Sequence, residues 1–371
     1  MSQQPMDLYR QKLATAEQAA ALVKSGDKVF LGEFAQGSEA VEAALALRKE
    51  ELRDVILITV TRPKPLKCVE ADPARESFIW HDWHFSGLGR KYGERGLCSY
   101  IPLCYHHAPK NIDLYEEPDV VVVQVTPMDA HGFFNFSTTC SMTPTYCRKA
   151  RKVVVEVNTL TPWCLGGLDE TIHISQVDMV VEGPNSRLVQ LPELEASEAD
   201  RIIANHVMGL LEDGSTIQLG IGALPNVVGA MIARSGLKDL GVHTEMLADS
   251  YVDMYEAGRI TGKHKGIDRG KMVYTFALGS QKLYDFLDNN HAMNVRPRNY
   301  TWPEFYDRVI GLTRHSFSWP AIARRFRATN ATMPRWLNAL RAVSTEGFGR
   351  IRHYSELRRR LEADAQVRAF F

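Results

Sequence analysis

A helix, a strand, a glycine-bearing loop, a second helix and a second strand follow one another twice in this chain, 188 residues apart. The first copy opens with Thr15 as N-cap and Gln18 three residues on, a capping-box pattern before AEQAAALVK. Its strand, Asp27–Leu31, runs into Gly32 and the loop from Glu33 to Ser38. The helix AVEAALALRKE follows, and Asp54 precedes the strand Val55–Val60. In the second copy a helix through ANHVMGLL stops at Asp213-Gly214, and the strand Ser215–Leu219 ends at Gly220. The helix NVVGAMIARS leads to Asp239 and a strand over Leu240–Thr244. Strands joined by crossover helices are parallel strands. A unit of this size present twice predicts two related α/β domains.

Three β-branched runs extend the first domain. Asp119–Val125, Lys152–Val157 and Asp178–Val181 read as strands buried on both faces. The stretch Leu191-Pro192-Glu193 reads as the interdomain linker. Placing Asp54 on Asp239 sets Val60 opposite Glu245. One copy has an apolar residue at that strand end and the other a carboxylate, at the edge where open α/β sheets bind ligands. The loop Gly220-Ile221-Gly222-Ala223-Leu224 also joins a strand to a helix, a place where backbone N–H groups can face a ligand oxygen. A glutamate at a strand end is ordinarily a solvated surface residue, and a lone Gly-x-Gly turn is ordinarily a tight connection. Position and asymmetry mark a candidate site without naming its chemistry.

The motifs LGIGALPNVVG, LGVHTEMLADSYVDMYEAGRITG and FALGSQKLYDFLDNN are similar to those of the acetyl-CoA hydrolase/transferase family, its butyryl-CoA:acetate and 4-hydroxybutyrate CoA-transferases in particular. WHDWHFSG, PDVVVVQVTPMDAHGFFNF, VVVEVN and CLGGLDETIHISQVDMVVEG agree, so the resemblance covers about residues 9–301. It implies an α/β fold of two related open parallel-sheet domains, 1–190 and 197–301; where the family pattern stops, the second is expected to be incomplete and followed by an Arg-rich helical tail, 302–371. It implies Glu245, in His243-Thr244-Glu245-Met246, as the covalent carrier of CoA in a ping-pong exchange. Gly220, Ile221, Gly222, Ala223 and Leu224 are implied as the CoA-binding and oxyanion loop. The substrates are then a short-chain acyl-CoA and a carboxylate. A hydrolase of acyl-CoA and an inactive member acting as a binding protein are the alternatives.

Other groups fit blander readings. His81 and His84 mimic a metal pair at helical spacing, but the tryptophans around them favour packing or pocket lining. Asp129 and His131 lie in PMDAHG, which reads first as a turn, and His106-His107 as a loop pair. No cluster calls for a metal, and no permanently bound cofactor is expected. The six cysteines form no C-x-x-C pair and read as reduced, mostly buried thiols.

Formal net charge is zero, which gives no reason to expect a nucleic acid. No stretch approaches the ~20 apolar residues of a membrane-spanning helix, and the N-terminus lacks the apolar centre of a signal peptide, so a cytoplasmic address is expected, while the family resemblance implies a homo-oligomer. The charge is unevenly spread. Residues 291–371 hold 15 Arg, no Lys and 6 acidic residues, whereas the first 290 hold 29 basic and 38 acidic. The family pattern ends near Thr301, just after that change begins.

Overall fold

The computed structural model describes residues 5–166, 169–192 and 194–293, with 307, 310–311, 314, 351–356 and 358–359. These fall in two compact units, one within 1–295 and one within 296–371.

The first unit is built on a seven-stranded parallel sheet. Its strands are β1 (Lys28–Glu33), β2 (Val55–Val60), β3 (Phe78–Asp82), β4 (Cys98–Tyr100), β5 (Val120–Val125), β7 (Lys152–Val157) and β9 (Met179–Glu182). β6 (Phe133–Asn135) and β8 (Thr171–His173) form a separate antiparallel pair. The sheet order is β4-β3-β2-β1-β5-β7-β9, so the winding reverses between β1 and β5. Reversal leaves a crevice at the carboxyl ends of those strands, because the connections from β1 and β5 depart to opposite sides.

The β-branched runs become strands because both of their faces are buried. Val29, Leu31, Val120 and Val122 join one apolar core, and Phe30, Val121, Val123 and Val125 join the other. Alternate side chains point to opposite faces, which divides one continuous run between two cores. The sequence reading placed β2 and β7 to the residue and β5 and β9 within one. It did not find β3 and β4. β3 is a strand containing His81, so His81 and His84 are not a pair on a helix. The capping box at Thr15 and Gln18 is formed.

The repeat survives in backbone detail. Gly26 N–H donates to Arg53 O and Gly214 N–H to Lys238 O, each at 2.9 Å. Ile56 N–H donates to Asp27 O and Gly241 N–H to Ser215 O, again at 2.9 Å. Asp54 and Asp239 both take left-handed φ, 56° and 61°. β10 (Thr216–Ile217) pairs with β11 (Gly241–Val242) in the register of β1 with β2: Thr216 opposes Gly241 as Lys28 opposes Ile56.

The second copy is otherwise smaller than expected. β10 is two residues, in place of a strand over Ser215–Leu219, because the chain leaves the ladder before Leu219. A further line of chain compensates. β12 (Met246–Leu247) pairs with β13 (Phe276–Ala277), and His243 bridges to Val273. The segment 240–247 is therefore flanked by chain on both sides, above a core that includes Val228, Ile232, Leu240, Val242, Tyr251 and Leu283. The β13 side is tied to the loop after β6 by Ala277 N–H to Thr138 O, 2.8 Å, and Ser141 N–H to Thr275 O, 3.2 Å.

Most of the tail lies outside the described residues, and so do most of the helical stretches expected there. The described tail residues are helical, and Arg358 pairs with Asp307 at 2.5 Å.

Candidate active site

A cavity of about 300 Å³ opens at the carboxyl ends of β1 to β4. Phe34, Val60, Trp83, Leu103, Met142 and Phe276 make it mostly apolar, and Phe34 stacks on Phe276 at 3.6 Å between ring centres. Gly220, Ile221, Tyr105 and Glu245 line the same space. Glu245 is exposed, while its neighbours Thr244 and Met246 are buried.

The backbone of Glu245 is held firmly. Its carbonyl accepts from Thr275 N–H (3.0 Å), Phe276 N–H (3.3 Å) and the Thr275 hydroxyl (2.8 Å). Thr244 N–H donates to Val273 O at 2.9 Å, and its hydroxyl donates to Met246 O at 2.9 Å. The carboxylate thus projects from an anchored backbone, the arrangement a positioned nucleophile needs.

The glycine loop is fixed from behind by Tyr251. Its hydroxyl accepts from Leu219 N–H at 2.5 Å and donates to Leu219 O at 3.1 Å. Gly220 and Ile221 then reach the cavity of Glu245. Gly222 lines a neighbouring cavity of about 760 Å³, which shares Ile221 and includes Asp249, Ser250 and Lys282. Ala223 begins the helix Ala223–Arg234, and Leu224 packs toward the core of the second lobe. Gly222 has φ 118°, a conformation closed to residues with a side chain. Gly220 needs no such conformation, and a Cβ there would meet nothing within 4 Å.

The opposite rim is set by Asp82. Its Oδ1 accepts from the Thr59 hydroxyl (3.0 Å) and Thr61 N–H (2.8 Å). Burial pushes its carboxyl up to about 7. Thr61 Oγ1 lies 2.9 Å from His84 Nδ1, and both residues line the cavity. Asp129 and His131 form the expected turn: Asp129 Oδ1 accepts from His131 N–H at 2.9 Å and Phe133 N–H at 2.8 Å. Neither lines the cavity of Glu245. His106 and His107 end a 3-10 turn, Tyr105–His107. All six cysteines are free, three of them buried. Among the described residues no three His, Cys, Asp or Glu side chains are placed to hold a metal ion. None of the described helices is long and apolar enough to cross a membrane.

Sequence reasoning missed Tyr105, Ser141, Glu33 and Tyr251. The first three come together only in space. Tyr251 lies in a quoted motif, but nothing local says that its hydroxyl holds a loop 32 residues away.

A small apolar chamber lined by a glutamate on an anchored backbone and by a glycine loop, at the carboxyl ends of a parallel sheet, is a candidate small-molecule site of the open α/β class. The model of the acetyl-CoA hydrolase/transferase N-terminal domain matches residues 2–191. The chain is 43% identical over 295 residues to a butyryl-CoA:acetate CoA-transferase of Anaerostipes caccae, covering 79% of this chain and 66% of that protein. It is 42% identical to a probable butyrate:acetyl-CoA coenzyme A-transferase of Syntrophomonas wolfei, covering 81% and 67%. Among solved structures, RipA from Yersinia pestis superposes with a TM-score of 0.72 at 30% identity, over 82% of this chain and 72% of that one. A 4-hydroxybutyrate CoA-transferase from Porphyromonas gingivalis superposes at 0.64 and 29% identity, over 82% and 72%. The chain belongs to the acetyl-CoA hydrolase/transferase family. It spans about two thirds of the length of the curated relatives it matches.

Proposed function

We propose that this protein moves CoA between a short-chain acyl-CoA and a free carboxylate, with Glu245 as the covalent carrier. The observation that carries the reading is Glu245, held by its backbone, lining an apolar chamber that it shares with Gly220 and Ile221. The names of the similar proteins, butyryl-CoA:acetate and 4-hydroxybutyrate CoA-transferases, support the substrate class. In the first step a Glu245 oxygen attacks the thioester carbonyl, the C–S bond breaks, and CoA leaves as thiolate. The mixed anhydride is then attacked at the Glu245 carbonyl by that thiolate. Its C–O bond breaks, a free carboxylate departs, and a glutamyl-CoA thioester remains. An incoming carboxylate reverses both steps.

The chamber suits the acyl group, and the larger cavity beyond Ile221 is the space this reading assigns to the body of CoA. Backbone N–H groups of the Gly220–Leu224 loop are the oxyanion donors it requires. Incubation with butyryl-CoA, followed by intact and peptide mass analysis, tests the assignment. A CoA adduct on Glu245 is expected, and an adduct confined to another carboxylate would sink it.

The exposure of Glu245 favours a second reading, hydrolysis of acyl-CoA. Water that reaches the anhydride or the thioester completes a single-substrate thioesterase cycle. CoA release from butyryl-CoA without an acceptor, undiminished in rate relative to a reaction with acetate, would favour that reading over transfer. A cytoplasmic homo-oligomer remains the setting we propose for either activity.

A further inference from the structure

Glu33 is a buried carboxyl group next to this chamber that the proposed reaction leaves unused. It ends β1, is fully buried, and lies opposite Val60 in the sheet. Oε1 accepts from Thr143 N–H at 3.1 Å and from the Thr143 hydroxyl at 2.6 Å. Among the described residues, Oε2 has no hydrogen-bond partner. The Ser141 hydroxyl stands beside the carboxyl, and Ser141 Oγ is also hydrogen-bonded to the Tyr105 hydroxyl. Tyr105 lines the chamber with Glu245, and its hydroxyl also stands beside Thr275, the residue that clamps the Glu245 carbonyl. Three segments of chain, ending β1, preceding the helix Ala108–Tyr115 and preceding the helix Thr143–Lys149, thus form one line of polar groups that ends in the chamber.

We propose that Glu33 is the positioning residue of a hydroxyl relay, Glu33–Ser141–Tyr105, which aims the Tyr105 phenol into the chamber as a hydrogen-bond donor at Glu245. The inference rests on the CoA-transfer reading and adds a donor to it. The relay has two directions. A protonated Glu33 donates to Ser141, Ser141 donates to Tyr105, and the phenol proton is free to point at an oxygen in the chamber. An ionised Glu33 accepts a hydrogen bond from Ser141, Ser141 accepts one from the Tyr105 hydroxyl, and the chamber is faced by phenol lone pairs. Only the first direction stabilises the oxyanion that develops when Glu245 or its thioester reacts.

The surroundings favour the first. The titratable groups that face Glu33 are Tyr105, Cys140, Tyr146 and Cys147, neutral phenols and thiols from the Tyr105 turn, the loop after β6 and the helix Thr143–Lys149. Burial pushes the Glu33 carboxyl up to about 7, against the opposing pull of the Thr143 hydrogen bonds and of the nearby Ser141 hydroxyl and Met142 N–H. A buried oxygen without a donor is costly as a carboxylate and tolerable as part of a carboxylic acid. The Tyr105 phenol is itself pushed up by burial and stays protonated.

The test follows the rate of CoA-adduct formation on Glu245 from butyryl-CoA against pH, with infrared spectra of the same proteins. The wild type is expected to slow as pH rises through about 7, where Glu33 ionises. Glu33→Gln, whose amide donates at every pH, should keep the low-pH rate and lose that decline. Tyr105→Phe should be slower by roughly 100-fold at low pH, the loss of one oxyanion donor. The carboxylic acid C=O band at pH 6 should be weaker by one carboxyl in Glu33→Gln than in the wild type, with the contribution of Asp82 retained. An unchanged pH decline in Glu33→Gln, or a Tyr105→Phe rate equal to wild type, would overturn the relay while adduct still forms. A wild type that forms no adduct on Glu245 would overturn the transfer reading, and the relay's role with it, whatever the infrared band shows.

Discussion

The two copies of the repeat share a backbone and differ in what ends it. The first copy is sealed by the protein's own carboxylate. Glu156 on β7 is fully buried beneath the helix Ala40–Ala46. Its oxygens accept from Ser38 Oγ (2.8 Å) and from the N–H groups of Glu39 (2.8 Å), Ala40 (3.0 Å) and Val41 (3.0 Å). The buried Arg62 guanidinium lies over Gly37, close to the same carboxylate. In the second copy the corresponding helix, Ala223–Arg234, has Gly222 as its N-cap and no side-chain cap. Its preceding loop opens on two cavities. The positive helix end that holds an internal anion in one copy has no side-chain cap in the other, and the proposed function gives that end to the substrate. The strand ends are exchanged as well. The first copy has Glu33 buried beside Val60, and the second has Ile221 and an exposed Glu245 at the matching positions. On the proposed function, a duplicated scaffold becomes a site by leaving open in one copy what is satisfied in the other.

The sharpest way to break this comparison is at the exchanged strand end. Glu245→Ala should abolish CoA-adduct formation, and Glu245→Asp should lower it by about 100-fold, since one methylene misplaces the attacking oxygen. Both should unfold at the wild-type temperature, because the anchoring contacts are backbone. Full adduct yield from Glu245→Ala would remove the asymmetry between the copies.

The sealed copy should respond in the opposite sense. Glu156→Gln leaves an amide facing N–H donors and an arginine, and is expected to cost about 4 kcal/mol of stability. Urea unfolding measures it, and a loss below about 1 kcal/mol would mean that the cap is not what closes that helix end.

Glu33 allows a third comparison through pH. Its folded-state carboxyl is raised to about 7 from an ordinary 4.5, so between those values the folded chain holds a proton that the unfolded chain has released. Stability therefore falls as pH rises across that window, by roughly 3 kcal/mol when fully ionised. Glu33→Gln should remove this share of the decline. Asp82, also raised to about 7, should keep its own. Unfolding curves of the two proteins at pH 5 and pH 8 that differ by the same amount would contradict the assignment.

The mildest test separates ligand approach from backbone strain in the open loop. Gly220→Ala adds a Cβ into empty space at an ordinary φ, so stability should be unchanged and adduct formation slowed roughly tenfold by obstruction. Gly222→Val loses stability too, because φ 118° excludes it, and is the poorer probe. An unchanged rate in Gly220→Ala would make the loop a connection only.

Much of this was legible in one dimension. The runs VVVVQV and KVVVEV became strands buried on both faces because continuous β-branched residues suit little else. The spacing from Asp54 to Val60 and from Asp239 to Glu245 located the odd carboxylate, because a repeat preserves register, and the pairing of Thr216 with Gly241 shows that it does. β3 and β4 escaped because FIWHD and CSY carry polar residues that alternation alone does not assign. Glu156 gave a signal that went unread: a lone acid inside an apolar strand must find donors somewhere.

What the sequence alone determined was local or periodic: the strands, the capping box, the duplication and the position of Glu245 within it. Tertiary structure alone decided which distant groups meet. Glu156 caps a helix more than 100 residues earlier, and Glu33 meets Thr143 across 110 residues, because β1 and β5 become neighbours where the sheet reverses. Parallel strands are joined by crossovers, so the partners at their carboxyl ends are remote along the chain. The physical state of those groups, one carboxyl sealed by donors, one buried with a bare oxygen and one exposed at a chamber, follows from burial and geometry that no residue spacing encodes.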